Sequence, residues 1–585
     1  MAGKPDSVPA MTSEGNVSIE LRKIPGPEER GLKALFRRRM TVIRFLTVTS
    51  GVARDPIVLL TLLASISRSG MIFAINETAQ NFDEGFGWSI WLLIVSALTM
   101  LVASYYQRLR AFGIITRIMA RLRMRMAHQL LRANVDFLSS SPRGEVYSAA
   151  TREVGELSGA VINVIEAIEA VVVLLIAVPY LFYVSWAAGL AAVFAVVIGI
   201  AGYLLLDLPA RRHNASASQT FANYCDRIGD MLSGWRELRQ RQTRREAIEG
   251  VTMQAISDNV DSHRKSETLY SASTLVGQSA IVLLLCFVVI AIPLLQGGDT
   301  TTMFQVLTIV FLTNGPIEQM FNMMPRLSRA ENAYYKIQNV EERLSAAQSN
   351  VLFGGGAVPD RFERIELRDV QATIREPGKP DAEPFHLGPV NLAFEPGETV
   401  FICGGNGSGK TTLLSLITGL RHPDKGEILL DGQALDDETT SGYRELFCGV
   451  FSGFHLFDRA YGMDEGELAE LDRRITQLGL SERVKLREDR FSSTSLSAGQ
   501  SRRLALAVAL AEQRPIIVLD EFAADQDPAN RAFFYDVLVP ELAATGQLVL
   551  AITHDDHQFG KCDRLIKMEG GRVVSDERQT RKAAS

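Results

Sequence analysis

Two hydrophobic patterns divide the chain. Up to about residue 325 long apolar stretches recur, each close to the roughly 20 residues a helix needs to cross a bilayer's hydrocarbon. Six qualify, at approximately 57 to 79, 88 to 107, 167 to 184, 186 to 206, 273 to 295 and 303 to 325. From residue 361 onward the apolar residues come in strand-sized or helix-sized groups, the pattern of a soluble domain. The connections near 108 to 166 and 207 to 272 are too long for simple loops and read as helix. Ile114, Ile118, Leu122, Met126 and Leu130 recur every four residues, which aligns them on one helical face with arginines around the rest. The spans are therefore expected to continue as long helical legs. Breaks at Asn134 to Gly144 and near Ser233 to Trp235 would carry short transverse helices placed to touch the soluble domain.

Charge orients this pattern. The segments between spans one and two, three and four, and five and six contain no Lys or Arg. The other connections are rich in them: Arg37, Arg38, Arg39 and Arg54 precede the first span, Arg117, Arg121, Arg123 and Arg125 follow the second, and Arg236, Arg239, Arg241, Arg244 and Arg245 follow the fourth. Positive loops stay on the cytosolic side, so both termini and the soluble domain are expected there. The expected layout is a cytosolic tail over 1–40, a six-helix membrane domain with cytosolic extensions over 41–343, a linker over 344–360, a nucleotide-binding domain over 361–576 and a tail over 577–585. The net charge of -6 argues against a nucleic-acid partner, which calls for a basic stripe. The five cysteines, at 225, 286, 403, 448 and 562, form no CxxC pair and support neither zinc nor a disulfide framework.

Ionisable residues inside spans are costly and mark function by default. Arg68 sits midway along the first span, and Asn314, Glu318 and Asn322 share one face of the sixth at i, i+4, i+8 spacing. Two readings are open: these residues line a polar cargo cavity, or Arg68 and Glu318 pair inside the bundle. Glu166 and Glu169 read as part of the cytosolic leg of the third span.

The soluble half carries the chemistry. The apolar strand Thr399 to Cys403 runs into Gly404, Gly405, Asn406, Gly407, Ser408, Gly409, Lys410 and Thr411, followed by Thr412 and a run of helical spacing. This is GxxxxGK[ST] in its strand-loop-helix setting. Backbone N–H groups of such a loop curl around a pyrophosphate, Lys410 reaches the terminal phosphates and Thr411 is placed to ligate magnesium. Ile516 to Leu519 reads as a buried parallel strand ending in Asp520 and Glu521. Asp520 would hold the magnesium opposite Lys410, and Glu521 would polarise an attacking water. His554, His557 and Cys562 raise a metal-site alternative, but His554 and His557 share a face only in a helix, and Val549 to Thr553 reads as a strand.

Leu496-Ser497-Ala498-Gly499-Gln500 stands between the phosphate loop and the acidic strand. It resembles the LSGGQ signature of ABC ATPases, and with six spans before one such domain nearly the whole chain resembles an ABC exporter half-transporter. The fold this implies is an α-helical six-span transmembrane domain followed by an α/β P-loop ATPase domain. The resemblance also implies ATP and Mg2+ as cofactors and two ATPase domains closing head to tail. Ser497, Gly499 and Gln500 would then contact the ATP of the partner, Asp527 would lie at the dimer seam, and His554 would be the switch histidine orienting the gamma-phosphate. The stretch Phe451 to Phe457 (FSGFHLF) is similar to the Q-loop of bacterial exporters of cyclic peptides and peptide siderophores. Ser452 stands where ABC proteins generally carry glutamine. Ile374 stands where an adenine-stacking aromatic is expected, with Arg375 beside it. The implied activity is ATP-driven export of a small molecule or a modified or cyclic peptide across the bacterial inner membrane by a homodimer, with a heterodimer as the alternative. An importer of metal-siderophore complexes and an ATP-gated channel are the competing functions.

Overall fold

The computed structural model describes residues 32–49, 51–80, 87–134, 137, 143–295, 300–347, 359–375 and 383–579. Most of the expected break at Asn134 to Gly144, and most of the expected linker and C-terminal tail, lie outside these residues. The chain packs as two compact units, one of residues 1–128 with 144–343 and one of 129–143 with 344–585.

The first unit is helical. Helix α1 (Leu32–Arg44) is followed by six long helices: α2 (Ile57–Gln80), α3 (Trp88–Leu131), α4 (Val154–Val184), α5 (Trp186–Ser233), α6 (Gln242–Leu295) and α7 (Thr300–Ala346). At 1.5 Å per residue the 54-residue α6 reaches about 80 Å, far beyond a hydrocarbon layer of about 30 Å. The legs expected from the apolar face of α3 are present: Ile114, Ile118, Leu122 and Met126 are buried, although Leu130, near the helix end, is not. The second expected break is at Gly234, after which Trp235–Gln240 forms a short helix with Trp235 exposed.

Among the described residues α2 to α6 are apolar and long enough to cross a membrane. Helix α7 falls short because Asn314, Glu318, Gln319 and Asn322 dilute it, yet it joins the same core. Its Val306, Ile309 and Val310 are buried with Ile72 of α2, Leu181 of α4, Ala188 of α5 and Val288 of α6.

The register between helices corrects three expectations. Arg68 pairs with Glu169 of α4 at 3.0 Å, not with Glu318. Glu169 therefore lies level with the middle of α2, not in a leg beyond it. Residues 32–40, expected in the N-terminal tail, belong to α1, which is anchored by Arg39. Its guanidinium meets Asp207 at 2.8 Å and Glu331 at 3.2 Å, and Arg211 meets the same two carboxylates at 2.8 and 2.6 Å. Tyr203 completes the group by donating to Asp207 Oδ1 at 2.5 Å. Asp207 and Glu331 are almost fully buried, so the desolvation of each acid is offset by two cations. Helices α5 and α7 thus supply the partners of Arg39.

The second unit contains two main sheets. A six-stranded sheet has the order β12 (Arg572–Arg578), β11 (Arg564–Glu569), β3 (Thr399–Gly404), β10 (Leu548–Ile552), β9 (Ile516–Asp520), β6 (Phe447–Val450). It is parallel except for β12, and β9 and β10 are buried along their whole length, which their continuous Ile, Val and Leu runs require. An antiparallel sheet has the order β2 (Phe385–Phe394), β1 (Ile365–Ile374), β4 (Lys425–Leu430), β5 (Gln433–Ala434). A two-stranded ribbon, β7 (Leu486–Arg487) and β8 (Arg490–Phe491), lies apart from both.

Candidate functional site

Strand order builds the site. Strand β10 lies between β3 and β9 in a parallel ladder in which Ile552 is level with Ile402 on one side and Asp520 on the other. The segments leaving the carboxyl ends of these three strands therefore converge, the usual ligand crevice of such sheets. From β3 comes the glycine-rich loop, from β9 come Asp520 and Glu521, and from β10 comes His554.

The loop leads from β3 into helix α8 (Lys410–Ile417), whose N-cap Gly409 is left-handed at φ 97°. Gly404 has no room for a side chain, since a Cβ there would lie 2.2 Å from the Met568 carbonyl oxygen. Lys410 is buried, and its Nζ donates to the carbonyls of Gly404 and Gly405, both at 3.0 Å. The ammonium thus folds back over the loop it closes. Thr411 Oγ1 lies 3.4 Å from Asp520 Oδ2, and the Ser452 N–H donates to the same oxygen at 3.2 Å. Ser452 thus meets Asp520 through its backbone, while the side chain that replaces the expected glutamine stays exposed.

Two polar atoms test whether this arrangement fits a nucleotide and a divalent cation. Asp520 Oδ1 and Ser408 Oγ are buried without a hydrogen-bond partner. An orphaned carboxylate oxygen beside a threonine hydroxyl is a hard, oxygen-only donor set of the kind magnesium takes. Together with Lys410 and the left-handed glycines 407 and 409, the residues fit both groups.

Glu521 occupies the left-handed region at φ 54°, unusual for a non-glycine residue. Its N–H donates to the Ile552 carbonyl at 3.1 Å, and its own carbonyl accepts from Arg502 Nη1. Arg502 also pairs with Asp525 at 3.2 Å. The backbone is held on both sides, which aims the carboxylate at His554, whose Nε2 lies 3.0 Å from Glu521 Oε1. Sequence reasoning passes over Arg502, because nothing in the local pattern distinguishes it from an exposed helix arginine.

The signature lies on helix α9 (Ala498–Ala511). Ser497 is its N-cap and forms a capping box with Gln500, in which Ser497 Oγ accepts from the Gln500 N–H and Gln500 Oε1 from the Ser497 N–H. Gly499 is needed for close packing, because a Cβ there would lie 2.7 Å from the Asp525 carbonyl oxygen, and its own carbonyl accepts from Gln526. Asp527 caps the Pro528–Phe533 helix. The Asn530 N–H and side chain hold its carboxyl below the usual range. Ile374 is half-buried and Arg375 is exposed. Among the described residues no three of His, Cys, Asp or Glu gather as a metal site, and the Cys562 thiol donates to the Phe559 carbonyl.

Comparison with known proteins agrees with this architecture. Residues 387–524 match the ABC transporter family and residues 56–312 the ABC transporter transmembrane region. The chain is 31% identical over 532 residues to the ATP-binding protein SyrD of Pseudomonas syringae pv. syringae, covering 88% of this chain and 92% of that one. It is 25% identical over 541 residues to the mycobactin import ATP-binding/permease protein IrtB of Mycolicibacterium thermoresistibile, covering 88% and 90%. In fold it is similar to a bacterial Atm1-family ABC exporter with ATP bound, at a TM-score of 0.75 over 93% of this chain and 96% of that one, with 17% identity.

Proposed function

From the premise that the chain belongs to the ABC transporter family, as an exporter-type half-transporter with one ATPase domain, we propose that it exports a modified or cyclic peptide, driven by ATP, as a homodimer in the bacterial inner membrane with its termini in the cytosol. The observation that carries the site assignment is the convergence of the glycine-rich loop, Asp520, Glu521 and His554 at level strand ends.

When bound, ATP supplies the phosphoanhydride whose hydrolysis powers transport, and Mg2+ offsets the charge of its terminal phosphates. The N–H groups of residues 404 to 412 cradle the phosphates and Lys410 neutralises them. Thr411 and Asp520 hold the cation, with Ser452 fixing Asp520 through its N–H. Glu521 accepts the proton of the attacking water and His554 keeps its carboxylate in place. Ser497, Gly499, Gln500 and Asp527 face the second subunit, which is consistent with Ser497 and Gln500 being satisfied by each other within one chain. Closed and open dimers must prefer opposite cavity orientations, or ATP does no transport work.

The cargo rests on the FSGFHLF loop, which is similar to that of cyclic-peptide and peptide-siderophore exporters. The similarity to a protein named for mycobactin import keeps siderophore uptake as the second reading. Inside-out vesicles separate the two, because an exporter loads labelled cargo into the lumen when ATP is outside. ATPase stimulation by a panel of cyclic and linear peptides in nanodiscs identifies the cargo class, with Lys410→Ala as the control. That variant removes phosphate neutralisation, and normal ATP-dependent transport by it sinks the assigned site.

A further inference from the structure

An acid inside a membrane span needs a counter-charge, and the sequence limits where one can come from. Glu318 stands in α7 within the apolar stretch 303 to 325. It has no hydrogen bond or ion pair among the described residues. Across the six apolar stretches Arg68 is the one Lys or Arg, and its guanidinium is engaged by Glu169 at 3.0 Å. A second copy of the chain adds no other cation at that depth, because both copies carry the same spans. The counter-charge of Glu318 therefore has to come from outside the protein.

The same helix face is rich in acceptors. Asn314, Glu318 and Asn322 follow one another every four residues, while Val306, Ile309 and Thr313, on the opposite side of α7, are buried in the bundle. Asn314 and Asn322 are exposed and Glu318 is half-buried, so the polar face looks away from its own bundle. Gln319, beside Glu318, has its Oε1 buried with no hydrogen-bond partner among the described residues. Pro325 has no N–H to donate to the Phe321 carbonyl, one turn beyond Glu318, which leaves a further acceptor without its helical donor. Exposure to lipid would be costly for every one of these groups, and a polar cavity would not.

We infer that this face of α7 binds a positively charged group of the exported molecule, an ammonium or guanidinium carried by a peptide, with Glu318 as its counter-ion and Gln319 beside it. This rests on the peptide-export reading above and narrows its cargo to cationic peptides. Ammonium and guanidinium groups are donors only, which matches a face made of a carboxylate, an orphaned amide oxygen and a freed carbonyl. A neutral cargo leaves the acid unpaired away from bulk water, so the site selects for charge by penalising its absence.

The test uses the full-length protein in nanodiscs and a set of cyclic peptides, each made in two forms that differ at one residue, lysine or acetyl-lysine. Acetylation removes the charge and keeps most of the side chain. In wild type the lysine form should stimulate the ATPase at about tenfold lower concentration than the acetyl-lysine form. Glu318→Gln should raise the concentration needed for the lysine form by about tenfold and leave the acetyl-lysine form within about twofold, while Glu318→Asp keeps most of the preference. Equal stimulation of wild type by both forms would overturn the inference and leave peptide export standing; this comparison needs no variant, so it holds even if a substitution folds poorly. A lysine preference that survives in Glu318→Gln would also overturn it, by placing the cation elsewhere. Failure of the underlying reading has a different signature: neither form of any peptide in the set would stimulate wild type, and the inference would fall with it.

Discussion

Replacing Glu521 with glutamine separates binding from hydrolysis in a way the local structure makes quantitative. The backbone at 521 is fixed by the Ile552 carbonyl and by Arg502, and neither contact involves the carboxylate. The side chain is 38% exposed and makes one hydrogen bond, to His554 Nε2, which a glutamine oxygen can also accept. Stability should therefore stay within about 0.5 kcal/mol of wild type, the range of surface substitutions away from special features. What disappears is the proton acceptor. A positioned general base contributes about 10²- to 10⁴-fold, so turnover should fall by that factor, equivalent to about 2.7 to 5.5 kcal/mol of barrier. ATP affinity should persist, and loss of a negative charge beside the terminal phosphate should favour a closed, ATP-loaded dimer. The assay pairs steady-state ATPase turnover with retention of labelled ATP by purified protein, and a thermal melt guards against misfolding. Turnover within about tenfold of wild type would refute the assignment. The loop holding Ser452 and His455 would then be the first place to seek the base.

Asp207→Ala leaves Arg39 and Arg211 sharing one buried acid, and it should destabilise the membrane unit by about 3 to 5 kcal/mol, read as a lower melting midpoint in nanodiscs; an unchanged midpoint would show the quartet to be dispensable. Glu341, in the lower part of α7, has one oxygen 3.2 Å from Arg125 and the other buried without a partner. Burial outweighs the arginine and pushes its carboxyl up from 4.5 to about 7. The folded state thus holds this proton more tightly than the unfolded chain. Stability is unaffected below about 4.5, falls as pH rises toward 7 and is level above it, with at most about 3 kcal/mol involved. Glu341→Gln should flatten the dependence of the melting midpoint between those pH values, and an unaltered slope would assign the pH effect to another group.

Features carried by neighbours along the chain are legible in the sequence alone. The glycine-rich loop is one, because a strand, a run of glycines and a helix start within about 20 residues fix both the turn and the direction of its N–H groups. The apolar stretches are another, since hydrocarbon thickness sets their length independently of what they pack against. So is the buried face of α3, which follows from the helical period alone. Features made between distant segments are not. Arg68 meets Glu169 and not Glu318 because the rotation and axial offset of α2 against α4 decide which charges face each other, and periodicity along one helix contains neither. Arg39 finds acids 168 and 292 residues away, and the Phe385 ring of β2 packs against Gly409 of the glycine-rich loop. Burying a charge or seating a ring is an energy balance with whatever the rest of the fold brings alongside, so the same residues acquire their partners only once the helices and strands have packed.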